Sequence, residues 1–150
     1  MRMDMLDLII ERDFAAPRAA LWAAFTEAEI LSEWFGPQGW AINPGSCVID
    51  ARVGGVQQFV MHSLENPEHT SPVDAVFTEV RVGELLVGRD GPHDMTLHMI
   101  IDLRIEFSDM PGGTHLRLVQ GPLPDEVIEP SRAGWESSFG KLDRLLADFA

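Results

Sequence analysis

The histidines are the first residues to weigh for chemistry, and there are five: His62, His69, His93, His98 and His115. No two stand three or four residues apart, the spacing that sets a zinc-binding pair on one helix face, and Cys47 is the sole cysteine. The pattern therefore predicts no metal site and no disulfide. His98 falls on the polar side of an alternating run, with Asp102 further along that side, and reads as solvent-facing. His69 and His93 stand in loops. His62, within VQQFVMHS, faces inward only if Val60 does, because Phe59 and Met61 occupy the opposite phase.

Acid–base catalysis needs two ionisable groups converging in a low-dielectric cleft. Asp50, Asp74, Asp102 and Glu106 each alternate opposite to apolar neighbours, so they are expected on an outer face, and Arg52 beside them in a structural salt bridge. Cys47 reads as a small core residue in a strand from 47 to 53. The chain has no G-x-S-x-G nucleophile turn, no phosphate-cradling glycine loop and no dinucleotide fingerprint; Gly54-Gly55 and Gly112-Gly113 suit hairpin turns instead. No catalytic residue and no cofactor is assigned on this basis.

What remains is an apolar wall. Trp34, Phe35, Trp40, Phe59, Met61, Met95, Met99, Trp135 and Phe139 are large, and methionine adapts to irregular shapes. Of these, Trp34, Trp40, Phe59, Met61, Met99, Trp135 and Phe139 are the candidate ligand-binding residues. The competing reading is that such side chains simply pack against one another as core.

These residues need elements to hold them. From Ser131 to the end, Trp135, Phe139, Leu142, Leu146 and Phe149 fall within about 40° of one line on a helical projection, an amphipathic helix with one buried stripe. Its start is expected at Glu129 or Pro130, after an irregular stretch from Gly121. Leu8 to Phe14 alternates as a first strand. Pro17 opens a short helix from Arg18, and Thr26 with Glu29 fits a capping box for a second one ending at Gly36. Strands follow at 41–43, 47–53, 56–62, 73–82 and 85–87, with a polar loop from Leu64 to Pro72. The longest alternating run is Met95 to Phe107, returning as Thr114 to Gln120 through a turn at Asp109–Gly113. An antiparallel sheet with one apolar face is the natural cover for a long one-sided helix.

Composition sets bounds. A chain of 150 residues is the size of one domain, and 24 acids against 11 bases give a net charge of −13. Such a surface repels phosphate backbones and anionic lipid, so nucleic acid and membranes are not expected partners. The start, MRMDMLDLII, is interrupted by acids and does not read as a signal peptide, which makes the cytoplasm the expected compartment.

Four stretches in series, FAAPRAALWAAFTEAEILSEWFGP (14–37), DARVGG (50–55), GGTHLRL (112–118) and AGW (133–135), carry a likeness to a known family. The chain resembles the activator-of-heat-shock-protein-90-ATPase-like branch of the START-like, or SRPBCC, helix-grip superfamily, whose fold is also that of the Bet v allergens. The resemblance implies an α+β fold: a curved antiparallel sheet of six to seven strands wrapped around the long C-terminal helix, with two short helices after the first strand. It also implies a cavity between helix and sheet that many relatives use for apolar ligands. The superfamily includes lipid carriers, polyketide cyclases and chaperone regulators, and the fold alone does not choose among them. The chain lacks tyrosine, so any cavity must take its polar contacts from other side chains. The expected function is binding of an apolar or aromatic small molecule. The alternatives are a cyclase-like or hydrolase-like enzyme acting through His62, and a chaperone-partner or regulatory module. An exposed sheet edge would also allow a homodimer.

Overall fold

Ten alternating residues, Met5–Phe14, form the first strand, β1, and bury Leu8, Ile10 and Phe14. The computed structural model describes residues 4–92, 96 and 99–149, excepting the side chains of Pro44 and Phe149. His93, Met95, Leu97 and His98, and the Phe149 end of the helical stripe, lie outside the described residues. After β1 come α1 (Arg18–Thr26) and α2 (Ala28–Trp34), then β2 (Trp40–Ile42), β3 (Val48–Ile49), β4 (Val56–Ser63) and β5 (Thr70–Arg81). The chain continues through β6 (Leu85–Asp90), β7 (Ile101–Met110), β8 (Gly113–Pro124) and α3 (Asp125–Leu146). The fold is α+β and of the helix-grip type: an antiparallel sheet in the order β1-β8-β7-β6-β5-β4-β2, with the long α3 packed on its inner face. Among the described residues it has eight strands against the expected six to seven, because the short β2 and β3 both pair with β4.

The two-residue period decides which face is inner. On β7, Ile105 and Phe107 are buried while Asp102, Arg104 and Glu106 lie opposite, and on β8 Thr114, Leu116 and Leu118 are buried. α3 presents Trp135, Phe139, Leu142 and Leu146 to them. The outer face is tied by cross-strand charge pairs, among them Arg89 with Asp102 (2.8 Å) and Arg117 with Glu106 (3.6 Å). Arg12 holds Asp143 of α3 at 2.6 Å, joining the first strand to the last helix.

Several boundaries differ from expectation. β5 begins at Thr70, inside the loop expected from Leu64 to Pro72, and β6 runs on to Asp90 where a strand is expected only at 85–87. Three others differ for a local reason. The run expected as strand from Met95 begins instead at Ile101, whose partner is Asp90, the last residue of β6; Gly91-Pro92 then turns away and leaves Met99 and Ile100 no strand to pair with. β8 continues past Gln120 to Pro124, through two prolines. Beyond Gly121 it has lost β7 and pairs only with β1, which is irregular at Asp7, so prolines sit where one edge is free. α3 begins at Asp125, not at Glu129 or Pro130, and carries Pro130 inside it. Asp125 and Glu126 in its first turn favour the positive end of the helix dipole, which offsets part of the cost of the backbone bond Pro130 forfeits.

Two smaller corrections concern the first half. Thr26 does not cap α2: its hydroxyl donates to the Trp22 carbonyl at 2.8 Å, finishing α1, and Glu27 precedes α2 with no side-chain cap. Cys47 lies outside any strand, since only Val48–Ile49 pairs with β4 before the chain turns through Gly54, where φ is +84°.

His115 on β8 lies between two carboxylates of β1, with Nδ1 2.6 Å from Asp13 and Nε2 3.2 Å from Glu11. Hydrogen bonding to Asp13, then to Glu11, raises its pKa above the ordinary 6.5. A raised folded-state pKa gives stability that is fully present below the unfolded value and is lost as pH rises through the folded one. The difference in Tm between native protein and His115→Gln is therefore expected to shrink from about pH 6 to about pH 8. The effect is modest because the imidazole is partly solvated. A difference that grows with pH would contradict this account.

Candidate functional site

Large inward side chains on neighbouring strands normally meet and fill the space under a helix. Two inward positions near the middle of this sheet are small instead: Ala75 on β5 and Gly88 on β6. Ala75 is flanked in register by Gln57 on one side and Asp90 on the other, and Gly88 lies opposite Leu103, which lies opposite Gln120. The consequence is a cavity of about 220 Å³. Ala75 and Gly88 floor it; Phe77, Leu86, Leu103 and Ile105 wall it from the sheet; Phe25 of α1, Phe35 and Trp135 of α3 close it from above. It is half again as large as the roughly 150 Å³ cavity that admits benzene.

Polar groups are few and sit among these apolar walls. Gln57, Ser71, Asp90, Thr96 and Gln120 line the cavity. The Gln120 side-chain oxygen accepts a hydrogen bond from the Trp135 indole N–H at 3.0 Å, which fixes the amide. Asp90 and Thr96 are each engaged within the protein. Among the described lining residues there is no Lys, Arg or His, and Asp90 is the one ionisable side chain.

Of the seven residues singled out from sequence, Trp135 alone lines this cavity. Trp34, Phe59 and Phe139 are fully buried in aromatic packing: Trp34 meets Phe25 at 4.9 Å, Phe59 meets Phe35 at 5.0 Å and Phe139 meets Phe14 at 5.4 Å. The Trp34 indole N–H is satisfied by the Ala24 carbonyl at 2.9 Å. Trp40 is half-buried at the start of β2, where its carbonyl accepts from Lys141 at 3.5 Å; in the turn before it the Gln38 N–H donates to Ser137 at 2.9 Å. Burial lowers the pKa of Lys141, with the nearby Arg144 adding to the effect. Met61 packs toward Gly36, and Met99 precedes β7 beside Gly91. These side chains support the cavity's surroundings and do not form its wall.

Sequence reasoning missed Gln57, Asp90 and Gln120, although a signal was present. Each is a polar residue on the apolar phase of its strand: Gln57 two before Phe59, Gln120 two after Leu118, Asp90 four after Leu86. His62 has the other phase; it pairs with Ala41 and Thr70 and is not in the lining. The acids expected outside are outside: Asp74 accepts from Gln58 at 2.9 Å, Asp50 pairs with Arg52 at 2.7 Å, and Asp102 and Glu106 take part in the outer ion pairs. Burial raises the pKa of the half-buried Cys47 thiol. Among the described residues no group of His, Cys, Asp and Glu is arranged to hold a metal, and no helix is long and apolar enough to cross a membrane.

Comparison with known proteins agrees with this architecture. A solved protein of Chromobacterium violaceum is 24% identical, with a TM-score of 0.84 over 93% of this chain and 96% of that one. One from Nitrosomonas europaea is also 24% identical, with a TM-score of 0.80 and 95% of both chains covered. The AHSA1 protein of Silicibacter pomeroyi is 26% identical, with a TM-score of 0.79 over 97% of this chain and 100% of that one. No curated protein matches the sequence. The family model for Activator of Hsp90 ATPase homolog 1-like protein matches residues 15–147, which takes in both short helices, all of the sheet beyond β1 and the whole of α3, and the chain belongs to that family.

Proposed function

We propose that the protein binds a small apolar or aromatic molecule in the cavity between the sheet and α3. The observation that carries this reading is the floor of Ala75 and Gly88 beneath aromatic walls, which leaves about 220 Å³ inside an otherwise closely packed domain. Binding draws on apolar area removed from water, at about 25 cal/mol per Å², with Gln57, Ser71 and Gln120 supplying a few oriented contacts. An acid–base mechanism would need two ionisable groups in reach of one substrate, and the described lining offers Asp90. The binding reading is therefore favoured over the enzymatic one.

Filling the floor tests the proposal. A Cβ added at Gly88 meets only ordinary contacts, 3.9 Å from the Val76 carbonyl and 4.0 Å from Phe77, so Gly88→Val fits the backbone and intrudes on the space. In the native protein, phenethyl alcohol is expected to raise Tm and to shift the amide NMR signals of Ala75 and Leu103, which lie on either side of β6 at the cavity. In Gly88→Val both responses are lost while Tm without ligand is unchanged or higher. Equal responses in the two proteins, or none in the native one, would overturn the reading.

A further inference from the structure

We infer that the cavity favours aromatic molecules bearing a carbonyl oxygen, and that the side-chain NH₂ of Gln120 is the group that receives it. The inference rests on the binding reading above and adds the polarity of one contact. Gln120 is on the inward phase of β8, in register with Leu8 of β1 on one side and Leu103 of β7 on the other, and Trp135 of α3 meets it from the helix side. Gly88 of the floor lies beyond Leu103, two strand spacings or about 10 Å from Gln120. A ring seated over Gly88 therefore presents its edge to Gln120, and a short substituent spans the remaining distance to the amide.

The polarity of that amide is set by its neighbour. An indole N–H only donates, so the amide atom 3.0 Å from Trp135 is the oxygen, and turning the amide over would set one N–H against another. The nitrogen is the end left over. It makes no hydrogen bond within the protein, and the side chains of Leu8 and Leu103 beside it offer no acceptor. A half-buried donor among apolar side chains gains most from an acceptor that enters with the ligand, and the bond already made by the oxygen polarises the amide and strengthens its N–H. Gln57 and Ser71 carry donor and acceptor atoms alike, so they do not discriminate between ligands. The contact draws on neither Asp90 nor Thr96, which are engaged within the protein.

Acetophenone and 2-phenylpropene share one shape and differ in a single group, C=O against C=CH₂. Titrated into the native protein, both are expected to shift the backbone amide NMR signals of Ala75 and Leu103, and acetophenone alone to move the side-chain NH₂ protons of Gln120 downfield. Gln120→Glu keeps an oxygen for Trp135 and puts a second acceptor where the NH₂ stood. At about pH 8, to keep that carboxyl ionised, the variant is expected to bind acetophenone about tenfold more weakly, with 2-phenylpropene losing less than about threefold. Equal losses for the two compounds, or a native Gln120 NH₂ signal that acetophenone leaves in place, would overturn the carbonyl contact while the binding reading stands. If neither compound shifts Ala75 or Leu103 in the native protein, both fail. The native NH₂ signal decides the matter even if Gln120→Glu does not fold.

Discussion

Phe139→Ala is expected to cost about 3–5 kcal/mol, enough to bring a domain of this size close to unfolding at ambient temperature. Phe139 is fully buried at the middle of α3, where its ring lies edge-on to Phe14 of β1, 6.3 Å from Trp34 and 5.7 Å from Trp135, with the Arg12 guanidinium 5.6 Å from its centroid. Truncation removes contacts to the first strand, the second helix and its own helix together, and rigid aromatic neighbours relax poorly into the hole. Urea unfolding of Phe139→Ala and Phe139→Leu measures it. Leucine is expected to restore more than half of the loss. A cost below about 1 kcal/mol for the alanine variant would mean that this ring is not the point at which the helix is gripped.

The second large effect falls on a residue with no side chain. Gly113 opens β8 where that strand passes the end of β1, and a Cβ there would run into the carbonyl oxygen of Phe14. Beside it, the Thr114 hydroxyl donates to the Ala16 carbonyl at 2.8 Å, so the chain after β1 is pinned and cannot yield. Gly113→Ala is expected to destabilise by about 2–4 kcal/mol, through steric displacement of paired backbone. Gly112, one residue earlier, provides the control. Its φ is +81° and its surroundings are open, so Gly112→Ala pays only the left-handed penalty of about 1–2 kcal/mol. If the two variants have equal Tm, the close approach of β8 to β1 is not what fixes glycine at position 113.

Much of this architecture is legible in the sequence because it rests on periodicity. Leu8, Ile10 and Phe14 alternate; Trp135, Phe139, Leu142 and Leu146 recur at helical spacing; both patterns are long enough to outweigh local exceptions. The errors cluster at prolines. Pro72, Pro122 and Pro124 read locally as marks of irregular chain, yet each occupies a strand position where one neighbour is missing, and Pro130 sits within α3. Which strand edge is free follows from the order of the whole sheet, and no local window contains that order.

The cavity is harder to read for a related reason. Large residues announce themselves, so Trp34, Phe59 and Phe139 draw attention, but in a packed domain they consume space. Space is left by residues such as Ala75 and Gly88, and only the register that sets them beside Phe77, Leu86 and Leu103 reveals the gap. A polar residue on an apolar phase, as at Gln57 or Gln120, is the one trace of the cavity that a single strand carries on its own.

Pairing the first strand with the last has a kinetic consequence. Ile10 finds its neighbour in Leu118, so a growing chain on the ribosome holds β1 without a partner until nearly all the sheet has been synthesised. At about 5–20 residues per second the wait lasts on the order of 5–20 s, during which the apolar residues of β1 have no cover. Closure of the sheet, and with it the docking of α3, is then a late step built from distant contacts, the kind that makes folding slow.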